Sequence, residues 1–236
     1  MLTIWFLLLL GLLLAYAING LADGWPGWVR PNVLRPGSAA DSVVLRWRPL
    51  LVALVTALGL PLLWLAEGWT PRFGLHSIYL AAAILIVVVD VERLRIPNAI
   101  VYPMLLTAMT AAAVGLGPRG ADGRMSSMAA ALTGAGVALI IFGLLFLAGA
   151  GLAARLNVGA GPGLGMGDVK LAALVGLVTG YPGVIEALFA TLVAAGAAAA
   201  LMVGWQIVRR RYRPGQPLPL GPFLVLGALW ALLRVG

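Results

Sequence analysis

Residues 159–170 read Gly159-Ala160-Gly161-Pro162-Gly163-Leu164-Gly165-Met166-Gly167-Asp168-Val169-Lys170, and the apolar run from Val169 to Thr179 follows. In a helix interior glycine costs about 1 kcal/mol against alanine and proline about 3 kcal/mol, so we expect the helix to begin only near Asp168. A turn signal, Gly180-Tyr181-Pro182-Gly183, ends it. This helix is shorter than the ~20 residues of a membrane span. One end should therefore lie below the membrane surface, where non-helical backbone must be buried in protein or line a water-filled cavity.

The composition is that of a polytopic membrane protein. Of the 236 residues, 62% are hydrophobic and 10% are charged, and the mean hydropathy is +1.02. The net charge of +8 does not predict a nucleic-acid partner, because the basic residues lie in short loops between apolar runs. The chain has no cysteine, which excludes disulfides and cysteine-ligated zinc.

Eight apolar segments predict an all-α fold with about eight transmembrane helices in a lipid bilayer. The segments are Leu2 to Ile18, Pro49 to Ala66, Leu75 to Val89, Asn98 to Leu116, Met128 to Leu152, Val169 to Thr179, Val184 to Val208, and Leu218 to Leu233. The first has a signal-like Ala15-Tyr16-Ala17 but no preceding Lys or Arg, so it is predicted to be retained. The predicted organisation is thus a first helix in 1–18, a short cytoplasmic loop in 19–48, and a membrane-embedded domain in 49–236.

Basic residues predict the orientation of the chain. Eleven of the 16 lie in the loops after the first, third, fifth and seventh segments, and Lys170 at the start of the sixth segment brings that side to twelve. By the positive-inside rule these loops are cytoplasmic and both termini face outward. Asp90 and Asp168 are then both on the cytoplasmic side.

Those two carboxylates are the candidates for chemistry. Asp90 ends the run from Ala81 to Val89, and Asp168 opens the run after the glycines. Each has a plain structural alternative, a solvated helix end for Asp90 and an N-cap for Asp168. Together they can activate one water against a peptide bond, one taking its proton and the other protonating the carbonyl and the leaving amine. The positive end of a helix dipole should favour ionised Asp168 as the base, and the negative end should favour protonated Asp90 as the acid.

The same residues resemble a known family. Gly165-Met166-Gly167-Asp168 resembles the Gly-x-Gly-Asp (GxGD) motif of the type IV prepilin peptidases, and Asp90 with Ile96-Pro97-Asn98 resembles their first aspartate and its Ile-Pro sequel. Pro219-Leu220-Gly221-Pro222-Phe223-Leu224 resembles their Pro-Phe-Gly-Pro-Phe stretch. A single short motif is weak, but this ordered set within eight apolar segments is specific.

The resemblance implies a membrane aspartic endopeptidase, with Asp90 and Asp168 as catalytic residues. Its substrates would be type IV prepilins or pseudopilins, which serve pili and protein secretion, and it would remove their leader peptides. It would lie in the bacterial inner membrane with its active site facing the cytoplasm. Proteolysis needs no cofactor, whereas many members also methylate the new N-terminus with S-adenosylmethionine.

The chain departs from the family in its first loop. Many members carry paired Cys-x-x-Cys motifs there, implying a zinc site, but residues 19–48 contain no cysteine and form a shorter loop. No metal site is therefore predicted. No residue is assigned to S-adenosylmethionine, which leaves methyltransferase activity uncertain.

Gly165, Gly167 and Lys170 are predicted to position the substrate. Glycine lets a substrate backbone approach and permits positive φ. Lys170 could attract the leader backbone or hold Asp168 ionised, although topology alone also supplies lysine at a cytoplasmic helix end.

Two other classes of function remain as alternatives. An ion-coupled transporter would also carry ionisable residues and broken helices, but it typically shows internal repeats, which this chain lacks. A catalytically idle assembly factor could keep the same fold. A nucleotide site is excluded by the absence of a Gly-Lys-Ser/Thr ending or a Gly-x-Gly-x-x-Gly pattern.

Overall fold

The computed structural model describes residues 2–24, 39–118, 125–155, 164–210 and 218–235. Within these ranges the chain forms eight α-helices and no strand, which confirms the predicted all-α class. The helices are α1 (Leu2–Gly24), α2 (Ala39–Glu67), α3 (Pro71–Arg93), α4 (Asn98–Ala113), α5 (Ser127–Arg155), α6 (Met166–Thr179), α7 (Gly183–Val208) and α8 (Gly221–Val235). Each helix overlaps one predicted segment.

The loop predicted over residues 19–48 is shorter than expected. Residues 19–24 continue α1, and residues 39–48 already belong to α2. Asn19 does not end α1, because its side-chain amide donates to Ala15 O at 2.9 Å within the helix. Pro49 likewise lies inside α2. The remaining residues 25–38 lie outside the described part of the chain.

In the part of the chain that the structure describes, five helices are long and apolar enough to cross a membrane. The chain is therefore a polytopic membrane protein. The five helices are α1, α2, α3, α5 and α7. By contrast α4, α6 and α8 have 16, 14 and 15 residues. At 1.5 Å per residue they are roughly 24 Å long or less, against a hydrocarbon core of about 30 Å.

The first compact unit, Met1–Arg93, contains α1 to α3. Its helices approach closely at small residues, as is usual in lipid. A Cβ on Gly11 of α1 would lie 2.6 Å from the Cα of Ala57 in α2. A Cβ on Gly59 of α2 would lie 2.7 Å from a methyl of Leu80 in α3.

The second compact unit, Leu94–Gly236, is organised around α6. This helix contacts α4, α5, α7 and α8, and its residues 171–177 are all buried. Gly134 of α5 and Gly176 of α6 meet backbone to backbone. Small residues therefore let α6 sit at the centre of the unit. Gly136 and Gly143 of α5 do not share this packing role, because each has open space at its Cβ position.

Candidate active site

The carboxylate of Asp168 is held by the backbone at the start of α6. Gly165 is the N-cap and Asp168 is the third helical residue, so the alternative of Asp168 as the N-cap itself is wrong. Gly165 N–H donates to Asp168 Oδ2 at 2.8 Å, and Asp168 N–H donates to Gly165 O at 3.1 Å. This reciprocal pair fixes the carboxylate against the first turn, where the helix dipole favours negative charge.

Gly167 is required by packing rather than by backbone conformation. A Cβ at this position would lie 3.0 Å from the Cβ of Ile96, which belongs to the Ile96-Pro97-Asn98 stretch. Gly165 has φ −87° and ψ 155°, which any residue can adopt. The expectation that these two glycines provide positive φ is therefore wrong, since the positive-φ glycines of the described residues lie elsewhere.

Lys170 fastens the start of α6 to the start of α4. Its Nζ donates to Asn98 Oδ1 at 3.1 Å and to Tyr102 OH at 2.9 Å, and it lies 5.0 Å from the centroid of the Tyr102 ring. Residues two apart on a helix point to different sides, so Lys170 and Asp168 face apart. The contacts of Lys170 therefore tie two helices together.

Asp168 lies beside the middle of α5. The two helices run antiparallel, with Gly176 packed on Gly134 and Tyr181 N–H donating to Ala130 O at 2.9 Å. Asp168 lies eight residues before Gly176, so its level on α5 is eight residues after Gly134. Roughly 20 Å of α5, at 1.5 Å per residue, continues beyond that level to Arg155.

The pattern of buried residues along α5 and α7 agrees with this level of Asp168. On α5 the buried positions among the described side chains end at Phe142, and on α7 they end at Ala195. Both positions lie 13 residues before the end of the helix. The short helix α8 also begins beside the middle of α7, where Thr191 Oγ1 donates to Phe223 O at 3.2 Å. The described residues 164–165 before α6 and 218–220 before α8 therefore lie near the middle parts of the long helices α5 and α7. Their depth in the bilayer stays a prediction.

Asp90 lies in the last turn of α3 and is 4% exposed. It belongs to the first unit, whereas Gly165, Gly167, Asp168 and Lys170 belong to the second. The second unit brings these four residues together with Ile96, Asn98 and Tyr102. In the sequence, Asp90 precedes Ile96 by only six residues.

Sequence reasoning missed two groups of charged side chains. Arg48 forms ion pairs with Asp23 and Glu92. His76 Nδ1 pairs with Glu67 Oε1 across the turn from α2 to α3. The described part of the chain contains no group of three or more histidine, aspartate or glutamate side chains placed to hold a metal ion.

The third family-like stretch lies at the start of α8. Gly221 is the first helical residue, and Gly227 packs so closely that an added Cβ would collide with Ala187 O and with the hydroxyl of Thr191. The helix α8 also contacts α6, the helix that carries Asp168.

A sequence model of the type IV leader peptidase family matches residues 77–203. The match covers more than half of the chain and includes Asp90, the Ile96-Pro97-Asn98 stretch and the Gly165 to Lys170 motif. Comparison with curated proteins and with solved structures finds no match. Family match and helical membrane architecture agree, and the chain belongs to the type IV leader peptidase family.

Proposed function

We propose that this membrane protease is an aspartic endopeptidase that uses Asp90 and Asp168 to cleave the leader peptide of a type IV prepilin or pseudopilin. The observation that carries the proposal is the family match over both aspartates, combined with the backbone anchoring of the Asp168 carboxylate.

Asp168 is proposed as the general base. The hydrogen bond from Gly165 N–H and the start of α6 favour its ionised form, while burial of the carboxyl group opposes it. The carboxylate takes a proton from water as the water oxygen attacks the scissile carbonyl carbon. In the proposed pair, the two carboxyl groups would titrate as one system that shares a proton.

Asp90 is proposed as the general acid. It donates its proton to the carbonyl oxygen as the tetrahedral intermediate forms. When the C–N bond breaks, a proton passes to the leaving amine, and the products are a leader carboxylate and a new N-terminal amine. The position of Asp90 in the last turn of α3, at the negative end of a helix dipole, supports this role.

The active site is proposed to face the cytoplasm in a bacterial inner membrane. Twelve of the 16 basic residues lie on that side by segment counting, which supports the orientation. The depth of Asp168 beside α5 fits a substrate whose apolar stretch enters the bilayer while its leader stays in the cytoplasm. Water would reach Asp168 past Leu164 and Gly165, the described residues that precede α6.

Gly167 and Lys170 are proposed to act mainly by holding Asp168 in place. Gly167 lets α6 pack on Ile96, and Lys170 ties α6 to Asn98 and Tyr102. Gly165 is proposed to leave the backbone beside the Asp168 carboxylate open to substrate. Methylation of the product is not part of the proposal, because no residue of this chain is assigned to S-adenosylmethionine.

The test is cleavage of a co-expressed prepilin, read by gel shift and by the mass of the mature N-terminus. Wild type should cut, and the mass should show the cleavage site and any added methyl group. The variants Asp90→Asn and Asp168→Asn should not cut. Their matched control is Glu186→Gln, which neutralises an exposed carboxylate in the first turn of α7 and should cut like wild type. If wild type leaves a panel of prepilins and pseudopilins intact, the peptidase proposal fails and an idle assembly factor becomes the better account.

A further inference from the structure

Arg48 of α2 joins the three helices of the first unit at one end. Its Nε donates to Asn19 Oδ1 at 3.0 Å, its Nη1 to Glu92 Oε1 at 2.8 Å, and its Nη2 to Asp23 Oδ2 at 2.7 Å. Asn19 and Asp23 are on α1, and Glu92 is on α3. All three guanidinium nitrogens of Arg48 therefore donate hydrogen bonds to side chains of the two neighbouring helices, α1 and α3. A lysine could not reproduce this arrangement, because its ammonium group lacks the rigid fork.

This arginine is not an ordinary basic residue of a cytoplasmic loop. Topology alone would leave it among water and lipid headgroups, but Arg48 is only 9% exposed. Glu92 is also largely covered, with 14% of its side chain exposed, whereas Asp23 is 63% exposed. A buried charge is retained only where its partners are well placed. The contact with Glu92 is thus the most enclosed of the two ion pairs.

The Arg48 contacts act on the turn that carries Asp90. The last turn of a helix lacks partners for its carbonyl groups and tends to fray. In α3 this turn is tied to the neighbouring helices at two consecutive residues. Glu92 accepts from Arg48, and Arg93 Nη2 donates to Ala22 O of α1 at 2.7 Å. Asp90 lies in this fastened turn.

Glu92 and Asp90 are two residues apart, so their side chains point to different sides of α3. Arg48 bonds to Glu92, so its effect on Asp90 passes through the backbone of the turn. Displacement of a reacting group by as little as 1 Å can cost about a hundredfold in rate. A loosened turn would thus lower the rate of the chemical step and leave substrate binding largely unchanged.

We propose that Arg48 is a positioning residue for Asp90, holding the last turn of α3 through Glu92 and through the end of α1. The inference rests on the proposed function, in which Asp90 is the acid. It assigns to Arg48, in the first half of α2, a role in the reaction that neither the motifs nor the family match supplies.

The test measures kcat and KM for cleavage of a purified prepilin by the full chain in lipid nanodiscs. Arg48→Lys and Glu92→Gln should each lower kcat by roughly tenfold to a hundredfold, with KM changed by less than about twofold. The kcat of the double variant should be no lower than that of the less active single variant, because both changes break the same contact. Asp23→Asn, which removes the exposed partner, provides a milder variant if Arg48→Lys yields no folded protein, and its kcat should fall several-fold.

The matched control is Arg209→Lys, because Arg209 is an exposed arginine whose guanidinium lies 4.5 Å from the Trp205 ring centroid. It should keep the wild-type kcat. The inference is overturned if Arg48→Lys and Asp23→Asn only lower the melting temperature while kcat per folded enzyme stays at the wild-type value. Asp90→Asn separates the two claims. Full activity of Asp90→Asn defeats the proposed function, whereas an inactive Asp90→Asn beside fully active Arg48 and Asp23 variants defeats only this inference.

Discussion

The contact between α5 and α6 sets the position of Asp168, and a single methyl group should disturb it. A Cβ on Gly176 would lie closest to the carbonyl oxygen of Gly134, then 2.6 Å from its carbonyl carbon and 2.8 Å from the Cα of Ala135. Ordinary contact begins at 3.4 Å, so the distance to the carbonyl carbon alone is short by 0.8 Å. Both neighbours are backbone atoms and cannot rotate away. In Gly134→Ala or Gly176→Ala the two helices must therefore separate.

The cost follows from the size of that separation. A gap of 0.5–1 Å forfeits roughly a quarter to a half of each dispersion contact along the interface. Overpacking of this kind typically costs about 1–3 kcal/mol. For a chain of this length, about 2 kcal/mol corresponds to a melting temperature lower by roughly 4–8 °C. The cleavage rate should also fall, because α6 carries Asp168.

The assay is thermal unfolding in detergent, followed by tryptophan fluorescence. Gly136→Ala is the matched control, since it lies on the same helix and has open space at its Cβ position. It should melt at or above the wild-type temperature, because alanine favours a helix by up to about 1 kcal/mol over glycine. Equal melting temperatures for Gly134→Ala and Gly136→Ala would refute the reasoning.

Three further predictions concern the start of α6 and the residue that follows α3. Gly167→Ala should slow cleavage, and adding Ile96→Gly should restore part of the rate, because the new Cβ would lie 3.0 Å from that of Ile96 and glycine removes that atom; no restoration would contradict the packing account. Lys170→Met should lower the melting temperature more than Tyr102→Phe does, because it removes two hydrogen bonds worth about 1 kcal/mol each rather than one. Equal effects would argue against the two hydrogen bonds between Lys170 and α4. Leu94 has φ 50°, so Leu94→Val should be destabilising by more than about 1 kcal/mol in thermal unfolding while Leu94→Gly stays near wild type; the reverse order would argue against a left-handed residue there.

The existence of each helix could be predicted because long apolar runs have few alternatives in a bilayer. Their ends were less predictable. Asn19 looks like the start of a loop, yet its side chain bonds back to Ala15 O and α1 continues to Gly24. Pro49 looks like a helix start, yet α2 begins ten residues earlier. Neither helix boundary follows from composition alone.

The candidate site was predictable where its signal is local. Glycines and a proline before one carboxylate predict a helix that starts near Asp168, and the structure starts it at Met166. The partners of Lys170 lie about 70 residues away in the sequence, as their separations of 68 and 72 show. No periodicity or motif marks such pairs.

The Arg48 cluster was missed for the same reason. Its partners come from the ends of two other helices, one 25 and another 44 residues away. A usable signal exists, namely an arginine directly before an apolar segment with acidic residues just past the ends of two others. That signal predicts ion pairs between the arginine and these acidic residues only when the ends of the three helices are known to lie together.

The most direct test of the central claim is single-turnover cleavage of a prepilin by wild type, Asp90→Asn, Asp168→Asn and the double variant. If the two aspartates act as one unit, each single variant should lose on the order of a thousandfold or more, and the double variant should be no slower than either. All four proteins should melt within a few degrees of one another. If either single variant cleaves at the wild-type rate, the paired-aspartate account is wrong.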